Sequence, residues 1–371
     1  MLTKHKIIHL TSVHGRYEIR TFLKECISLA RYGYDVSIII ADGQGDAIKD
    51  GVKIYDAGPK TGGRLSRMTK TVRKIYKKAK ELDGDVYHFH DPELIPVGLK
   101  LKKQGKKVIY DVHEDYGENI KNKKWLPKIL RITVANIFDR YEKKAAKAFD
   151  GIVTATPHIL NRFSHINPFS VDIKNYPIQK SFIPLSRKET YSASICFTGL
   201  ICKSYGISEL LVSLELLNNV NLILCGPFES QAYADELKLM DGWKFVDYRG
   251  IVDYDEVKRI FASCAIGMVA LLPNTTNNYS LPIKMFEYMA AGLPVISSNF
   301  PLWKEIVEKN NCGICVNPLK VQEIAEAINW VLQNPADAAE MGRNGRKAVL
   351  EKYNWETESK KLIKFYEEIL Q

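Results

Sequence analysis

The residues best able to do chemistry lie within Asn278–Ile306, where Ser280-Leu281-Pro282-Ile283-Lys284-Met285-Phe286-Glu287 follows a polar loop. Pro282 is expected to open a helix, since proline at a first helical turn gives up no needed N–H. The free N–H groups there and the helix dipole would form an anion site. Lys284 would add a cation one position into the helix. Glu287 lies about one and a half turns in, where a carboxylate can accept two hydrogen bonds, as from the paired hydroxyls of a ribose. The same spacing also describes an amphipathic helix with a solvated lysine and glutamate, and spacing alone leaves both readings open.

A second group of candidates is His88, His90, Asp91, Asp111 and His113. His88 and His90 are two apart on an expected strand and therefore share a face. Histidine with carboxylate suits zinc or iron. Strict ligand spacing is absent, so no metal is expected: His90 and Asp91 are read as cleft lining and His88 as a satisfied histidine beneath them. Gly15, Arg16 and Arg20 follow the first strand, where backbone could approach a substrate or simply turn. Cys312-Gly313-Ile314-Cys315 has no second ligand pair and reads as structural. Gly58–Arg64 lacks the complete phosphate-loop pattern and reads as a surface turn.

The elements that must position these residues alternate between strand and helix patterns. Lys6–Leu10, Val36–Ile40, Asp85–His90, Lys107–His113 and Ile152–Ala155 are expected strands of the first half, with helices between them. Residues 176–194, with Pro177 and Pro184, read as a linker. The alternation then restarts at Ile195–Thr198 and continues through Ile266–Ala270 and the helix Ile283–Ala291. Such alternation implies parallel sheets covered by helices on both faces. The expected fold is α/β, two doubly wound Rossmann-like domains facing each other across a cleft. Residues 1–180 would form the first domain and residues 181–355 the second. Residues 356–371 would be a C-terminal helix crossing back to the first domain.

Composition narrows the class. The 371 residues are 46% hydrophobic and 26% charged, which is globular composition and enough for two domains. No run approaches the roughly 20 apolar residues of a spanning helix, and the N-terminus lacks a signal-peptide layout. Seven cysteines without framework spacing fit reduced thiols, so a cytoplasmic location is expected. Residues 1–180 hold 34 Lys and Arg against 20 Asp and Glu, while the remainder is mildly acidic. A basic first half suggests a polyanionic partner. Around Trp125, apolar Leu126, Ile129, Leu130 and Ile132 alternate with Lys121, Lys123, Lys124, Lys128 and Arg131, which suits an interfacial helix on anionic lipid. The protein is thus expected to sit peripherally on the inner face of the cytoplasmic membrane. No ordered array of stacking aromatics accompanies the basic residues, which argues against a nucleic-acid partner.

Taken together, Ser280–Glu287, Asp85–Glu93 (Asp-Val-Tyr-His-Phe-His-Asp-Pro-Glu) and Tyr110–Glu114 (Tyr-Asp-Val-His-Glu) resemble the retaining glycosyltransferase family numbered four, of GT-B fold. The subgroup resembled serves bacterial surface-polysaccharide synthesis, including O-antigen, capsule and lipopolysaccharide. The resemblance covers nearly the whole chain. It implies transfer of a sugar from a nucleotide diphosphate donor, a UDP-sugar first and a GDP-sugar next, to a lipid-linked oligosaccharide, with no metal or other cofactor.

By resemblance, Glu287 would bind the ribose, and Ser280, Leu281 and Pro282 would sit beside the diphosphate and sugar. Gly199 would start a diphosphate-facing loop, and Lys203 and Lys284 would stabilise the leaving group. Gly250 and Ile251 would border the base. His113 would lie at the catalytic face, with Gly15, Arg16, Arg20, His90 and Asp91 on the acceptor side. Two departures stand out. The family's outer glutamate, eight positions before Glu287, is Tyr279. The basic positions of the Gly199 loop hold Leu200 and Tyr205. Two other enzyme-level readings remain: a nucleotide-sugar epimerase of the same architecture, and a non-catalytic partner subunit.

Overall fold

Runs of β-branched and aliphatic residues dominate the central strands, the signature of a sheet covered on both sides. The computed structural model describes residues 5–121, 127–182 and 193–371. Trp125, Lys123, Lys124 and Leu126 of the expected interfacial segment, and Pro184 of the expected linker, lie outside the described residues.

Two compact units are present: residues 1–175 with 357–371, and residues 176–356. The first holds β1 (Lys6–Leu10), β2 (Asp35–Ile40), β3 (Ala47–Lys49), β4 (Val52–Asp56), β5 (Val86–Phe89), β6 (Lys107–Val112), β7 (Gly151–Thr154) and β8 (Ser170–Asp172). Their order is β3-β4-β2-β1-β5-β6-β7-β8, parallel throughout except for β3. The second holds β9 (Ser194–Thr198), β10 (Asn221–Cys225), β11 (Val246–Gly250), β12 (Ile266–Val269), β13 (Val295–Ser298) and β14 (Gly313–Val316). Their order is β11-β10-β9-β12-β13-β14, all parallel. The architecture is that of the GT-B fold, two Rossmann-like units.

Each sheet reverses direction once. In the first unit the chain leaves β1 for β2 and β4, then returns to β5 on the other side of β1. In the second it leaves β9 for β10 and β11, then returns to β12. Open α/β sheets bind ligands outside the carboxyl ends of strands at such reversals. The segments after β1, β5 and β6, and those after β9 and β12, are therefore the places to look.

The last helix, Trp355–Leu370, ends in the first unit. Its Tyr366 is fully buried, with the hydroxyl 2.7 Å from His88 Nδ1. Gly151 permits the close approach, since a Cβ there would lie 2.4 Å from Ile369 and Phe365 carbons. Several elements carry too little periodicity to be read in advance. Helices Pro157–Phe163 and Gln231–Lys238 are short and held by caps, Thr156 Oγ accepting from Ile159 N–H and Ser230 Oγ from Tyr233 N–H. The 3₁₀ turn Asp241–Phe245 leads into β11, with Trp243 and Phe245 packed against the core. Among the described residues no helix is long and apolar enough to cross a membrane.

Candidate active site

At the reversal of the first sheet, three neighbouring strands place polar residues where the core would otherwise be dry. His9 on β1 lies opposite His88 on β5, and β6 supplies Asp111. Arg20, from a segment of π-type turns (Ile19–Cys26), donates to Asp111 from Nε at 3.2 Å and from Nη2 at 3.0 Å. Arg20 also donates to the Ile173 carbonyl at 2.6 Å and lies 3.1 Å from Glu25. His90 Nδ1 and His113 Nε2 stand 3.2 and 3.1 Å from Asp111 Oδ2.

All of these groups are buried except His113, which is partly open. Burial works against the charge of Asp111, but Arg20, His113 and His90 outweigh it and hold its carboxyl well below the usual range. Burial, reinforced by the Asp111 charge, pushes Glu25 well up from the usual carboxylate range. Burial also keeps the imidazoles of His9 and His88 neutral, and brings His90 down to about 4.

The structure corrects the expected acceptor-facing set. Arg16 is buried and spent on Asp42, at 2.8 and 2.9 Å, and on the Gly45 carbonyl. Arg20 is interior, as described. Asp91 is also buried: its Oδ2 takes bonds from Thr11 Oγ1 at 2.9 Å, Ser12 N–H at 2.6 Å and Val13 N–H at 3.2 Å. It moulds the loop after β1 instead of facing a ligand. His90 lies wholly beneath the surface. Gly15 alone of this set is exposed, with open space where a side chain would be. Among the described residues, His90, Asp111 and His113 also form one of two His and acid groups whose atoms are close enough to hold a metal ion, the other being His9, Glu25, His88 and His90.

The reversal of the second sheet is built mainly from backbone. Gly199 follows β9, and Gly226 follows β10, with φ of 116° and 134°. A Cβ on Gly226 would come within 1.9 Å of the Gly199 carbonyl oxygen, so the two loops stack only as glycines. The loop after β12 is tied to the Gly199 loop by Asn277, whose amide donates to the carbonyls of Ser204 at 3.0 Å and Leu272 at 2.8 Å. Sequence reading missed Asn277; an asparagine in a polar loop gives no hint of which carbonyls it will find.

Pro282 caps the helix Ile283–Ala290 instead of standing within it. Trp303 Nε1–H donates to the Ser280 carbonyl at 2.7 Å and fixes the approach to this helix. Leu281 packs against the core. Glu287 is half-buried, 3.4 Å from the Tyr254 hydroxyl. Gly250 has φ 66° and its carbonyl accepts from Gly226 N–H, while Ile251 beside it is exposed.

Lys284 is the informative side chain. Its stem is half-buried, but its Nζ is buried without a hydrogen-bond partner. The amine lies 3.7 Å from the Phe197 ring centroid and 4.9 Å from that of Tyr205, facing Gly199. Burial brings it down to about 7. Lys203, in contrast, turns outward: its Nζ pairs with Glu236 at 3.0 Å in solvent. The cation facing Gly199 thus comes from the helix after β12, and Tyr205 supplies a wall for it. Tyr279 is half exposed at the loop surface.

The cysteine pair is structural. Burial pushes Cys312 up to about 12 and Cys315 up to about 11. Gly58–Arg64 is largely an exposed turn.

Two family models meet end to end on this chain: Glycosyltransferase Family 4 matches residues 4–171, and Glycosyl transferases group 1 matches residues 183–348. Each half of the chain thus matches a glycosyltransferase model. An uncharacterized glycosyltransferase of Methanocaldococcus jannaschii is 25% identical over 64% of this chain and 58% of its own length. The MMP alpha-(1->4)-mannosyltransferase of Mycolicibacterium hassiacum is 23% identical over 77% of this chain and 72% of its own. The D-rhamnosyltransferase WbpZ of Pseudomonas aeruginosa is 24% identical over 73% and 70%. Among solved structures, sucrose-phosphate synthase from Thermosynechococcus elongatus superposes with a TM-score of 0.74 at 18% identity, covering 99% of each chain. Anabaena HepE, in complex with UDP and glucose, gives 0.74 at 14% identity, covering 98% of this chain and all of that one. This glycosyltransferase therefore shares its fold with enzymes far removed in sequence.

Proposed function

We propose that this glycosyltransferase takes a sugar from a nucleotide diphosphate donor, UDP-linked first and GDP-linked next, with retention and without a metal ion. The observation that carries the reading is the buried, unpartnered Lys284 amine facing the Gly199 loop. A leaving diphosphate is the ligand that would satisfy such a cation together with free N–H groups at a helix start. The first-turn N–H groups after Pro282 have no intrahelical partners. Glu287 would take the ribose hydroxyls, with Ser280, Leu281 and Pro282 lining the diphosphate and sugar. Gly250 and exposed Ile251 would border the base.

As the bond from anomeric carbon to phosphate breaks, negative charge gathers on the diphosphate, where Lys284 and the N–H groups stabilise it. The acceptor attacks from the same face, and its proton passes to a phosphate oxygen. His113 hydrogen-bonds the sugar being transferred. Neutralisation by Lys284 takes the place of metal here. The histidine and acid groups of the first unit have Arg20 beside Asp111, a cation that opposes a second positive charge.

The proposed acceptor is a lipid-linked oligosaccharide of surface-polysaccharide synthesis, met at the inner face of the cytoplasmic membrane. Support comes from the basic first unit and from helix Lys128–Ala146, where Ile129 is 82% and Ile137 61% exposed beside Lys128, Arg131 and Arg140.

A thermal-shift panel of UDP, GDP, ADP and dTDP tests the donor site. One of them at a hundred times its Kd should add about 2.7 kcal/mol of stability, and Glu287→Ala should remove most of that shift. No shift with any nucleotide would end the donor reading. Incubating the donor with and without acceptor lipid separates transfer from epimerisation, which needs no acceptor.

A further inference from the structure

We infer that Asp111 is a positioning residue that holds His113 as its Nε2–H tautomer, leaving Nδ1 as a bare acceptor for a substrate hydroxyl. The inference rests on the proposed role of His113 and deepens it.

The argument begins with the charge of Asp111, which is secured by Arg20. An ionised carboxylate only accepts. Two imidazole nitrogens lie within hydrogen-bond distance of its Oδ2, His90 Nδ1 at 3.2 Å and His113 Nε2 at 3.1 Å, with His88 Nε2 farther off at 3.9 Å. A bare nitrogen at either place would set a lone pair against an anionic oxygen. Both must therefore carry hydrogen, although the two nitrogens also lie 3.2 Å from each other.

The rest of the buried cluster agrees with this assignment. A neutral His90 with hydrogen on Nδ1 has a bare Nε2, which accepts from His9 Nδ1–H at 2.9 Å. His9 Nε2 is then bare and faces the Tyr366 hydroxyl at 3.4 Å. The Tyr366 oxygen in turn accepts from His88 Nδ1–H at 2.7 Å. The run ends at His88 Nε2, which lies 3.9 Å from Asp111 Oδ2 and has no hydrogen-bond partner. One anion on β6 thus sets hydrogens on His113 and His90 and, through His90, on His9 of β1. Burial keeps His9, His88 and His90 neutral.

A divalent ion held by His90, Asp111 and His113 demands the opposite arrangement, with His90 Nδ1 and His113 Nε2 both bare. The two readings therefore exclude one another at a single observable proton.

Histidine-labelled ¹⁵N protein, with His113 assigned from the His113→Gln variant, reports that proton through ¹⁵N–¹H correlations at neutral pH. Hydrogen on Nε2 and a bare Nδ1 are expected, unchanged by added zinc. Hydrogen on Nδ1, or loss of the Nε2 hydrogen on zinc addition, would overturn the inference. In Asp111→Asn the amide offers a donor where the anion stood, so His113 should change tautomer and kcat should fall about 100-fold. The KM for the nucleotide sugar should stay the same. An unchanged kcat would also overturn the inference. The spectrum of the unaltered protein decides the matter even if that variant fails to fold. Absence of any nucleotide-induced thermal shift strikes the donor reading instead, and leaves the tautomer result standing.

Discussion

The two sheet reversals solve opposite problems. In the first unit, Arg20 and Asp111 are buried and paired with each other and with His90 and His113, with His88 Nε2 left over, so the network spends most of its polarity on orientation. In the second, glycine backbone and one lysine are left with unmet capacity. A filled polar network stabilises its surroundings, and breaking it leaves an orphaned charge. An unfilled one weakens the free protein and rewards the ligand that completes it.

The largest expected effect follows from the filled side. Arg20→Ala strands the Asp111 charge in the interior and should cost about 3–5 kcal/mol, read as a lower urea midpoint. A loss under about 1 kcal/mol, the scale of a surface pair, would mean that the histidines alone hold Asp111. Lys284→Met should behave in the contrary way. Nucleotide diphosphate affinity should drop by about 1.5–3 kcal/mol, the usual worth of a hydrogen bond to a charged group. Stability of the ligand-free protein should hold or rise, because an unpartnered amine has gone. Loss of stability without loss of affinity would erase the contrast between the units.

The pH dependence sharpens the comparison. Burial holds the Lys284 amine at about 7 in the free protein, so its charge is present below that value and lost above it. Diphosphate binding above about 7 must then take up a proton. Relative to Lys284→Met, the affinity advantage should shrink by about tenfold per pH unit in that range, measured by calorimetry. Binding that runs parallel in both proteins would remove Lys284 from the diphosphate. The smallest effect is expected for Lys203→Ala. Its exposed pair with Glu236 is worth about 0–1 kcal/mol, and nucleotide affinity should change by less than about threefold. A larger loss would show that Lys203 leaves Glu236 when nucleotide binds.

Much of the framework was legible in the chain. Short apolar runs marked β1, β2, β9 and β12, and the helix after Pro282 was evident from its start signal. Gly199, Ser280 and Lys284 were singled out from local pattern and family resemblance. The short capped helices and β8 were not, because fewer than two turns of helix or a three-residue strand carry almost no periodicity. Neighbourhoods of charged side chains were the main failure. Arg16 and Arg20 follow the first strand as substrate-facing cations would, yet both are interior. Lys203 lies in the correct loop and points the other way.

The sequence by itself determined the alternation of strand and helix, the two reversals implied by it, and the glycines on which the Gly199 loop depends. These follow from rules that act over a few residues. Only the tertiary structure decided what each ionisable group faces, since such partners come from distant strands: Arg20 meets Asp111 across 91 positions of chain. Charge state, tautomer and readiness to bind all depend on that meeting. Folding therefore converted two similar-looking strand ends into a closed network in one unit and an open cation in the other.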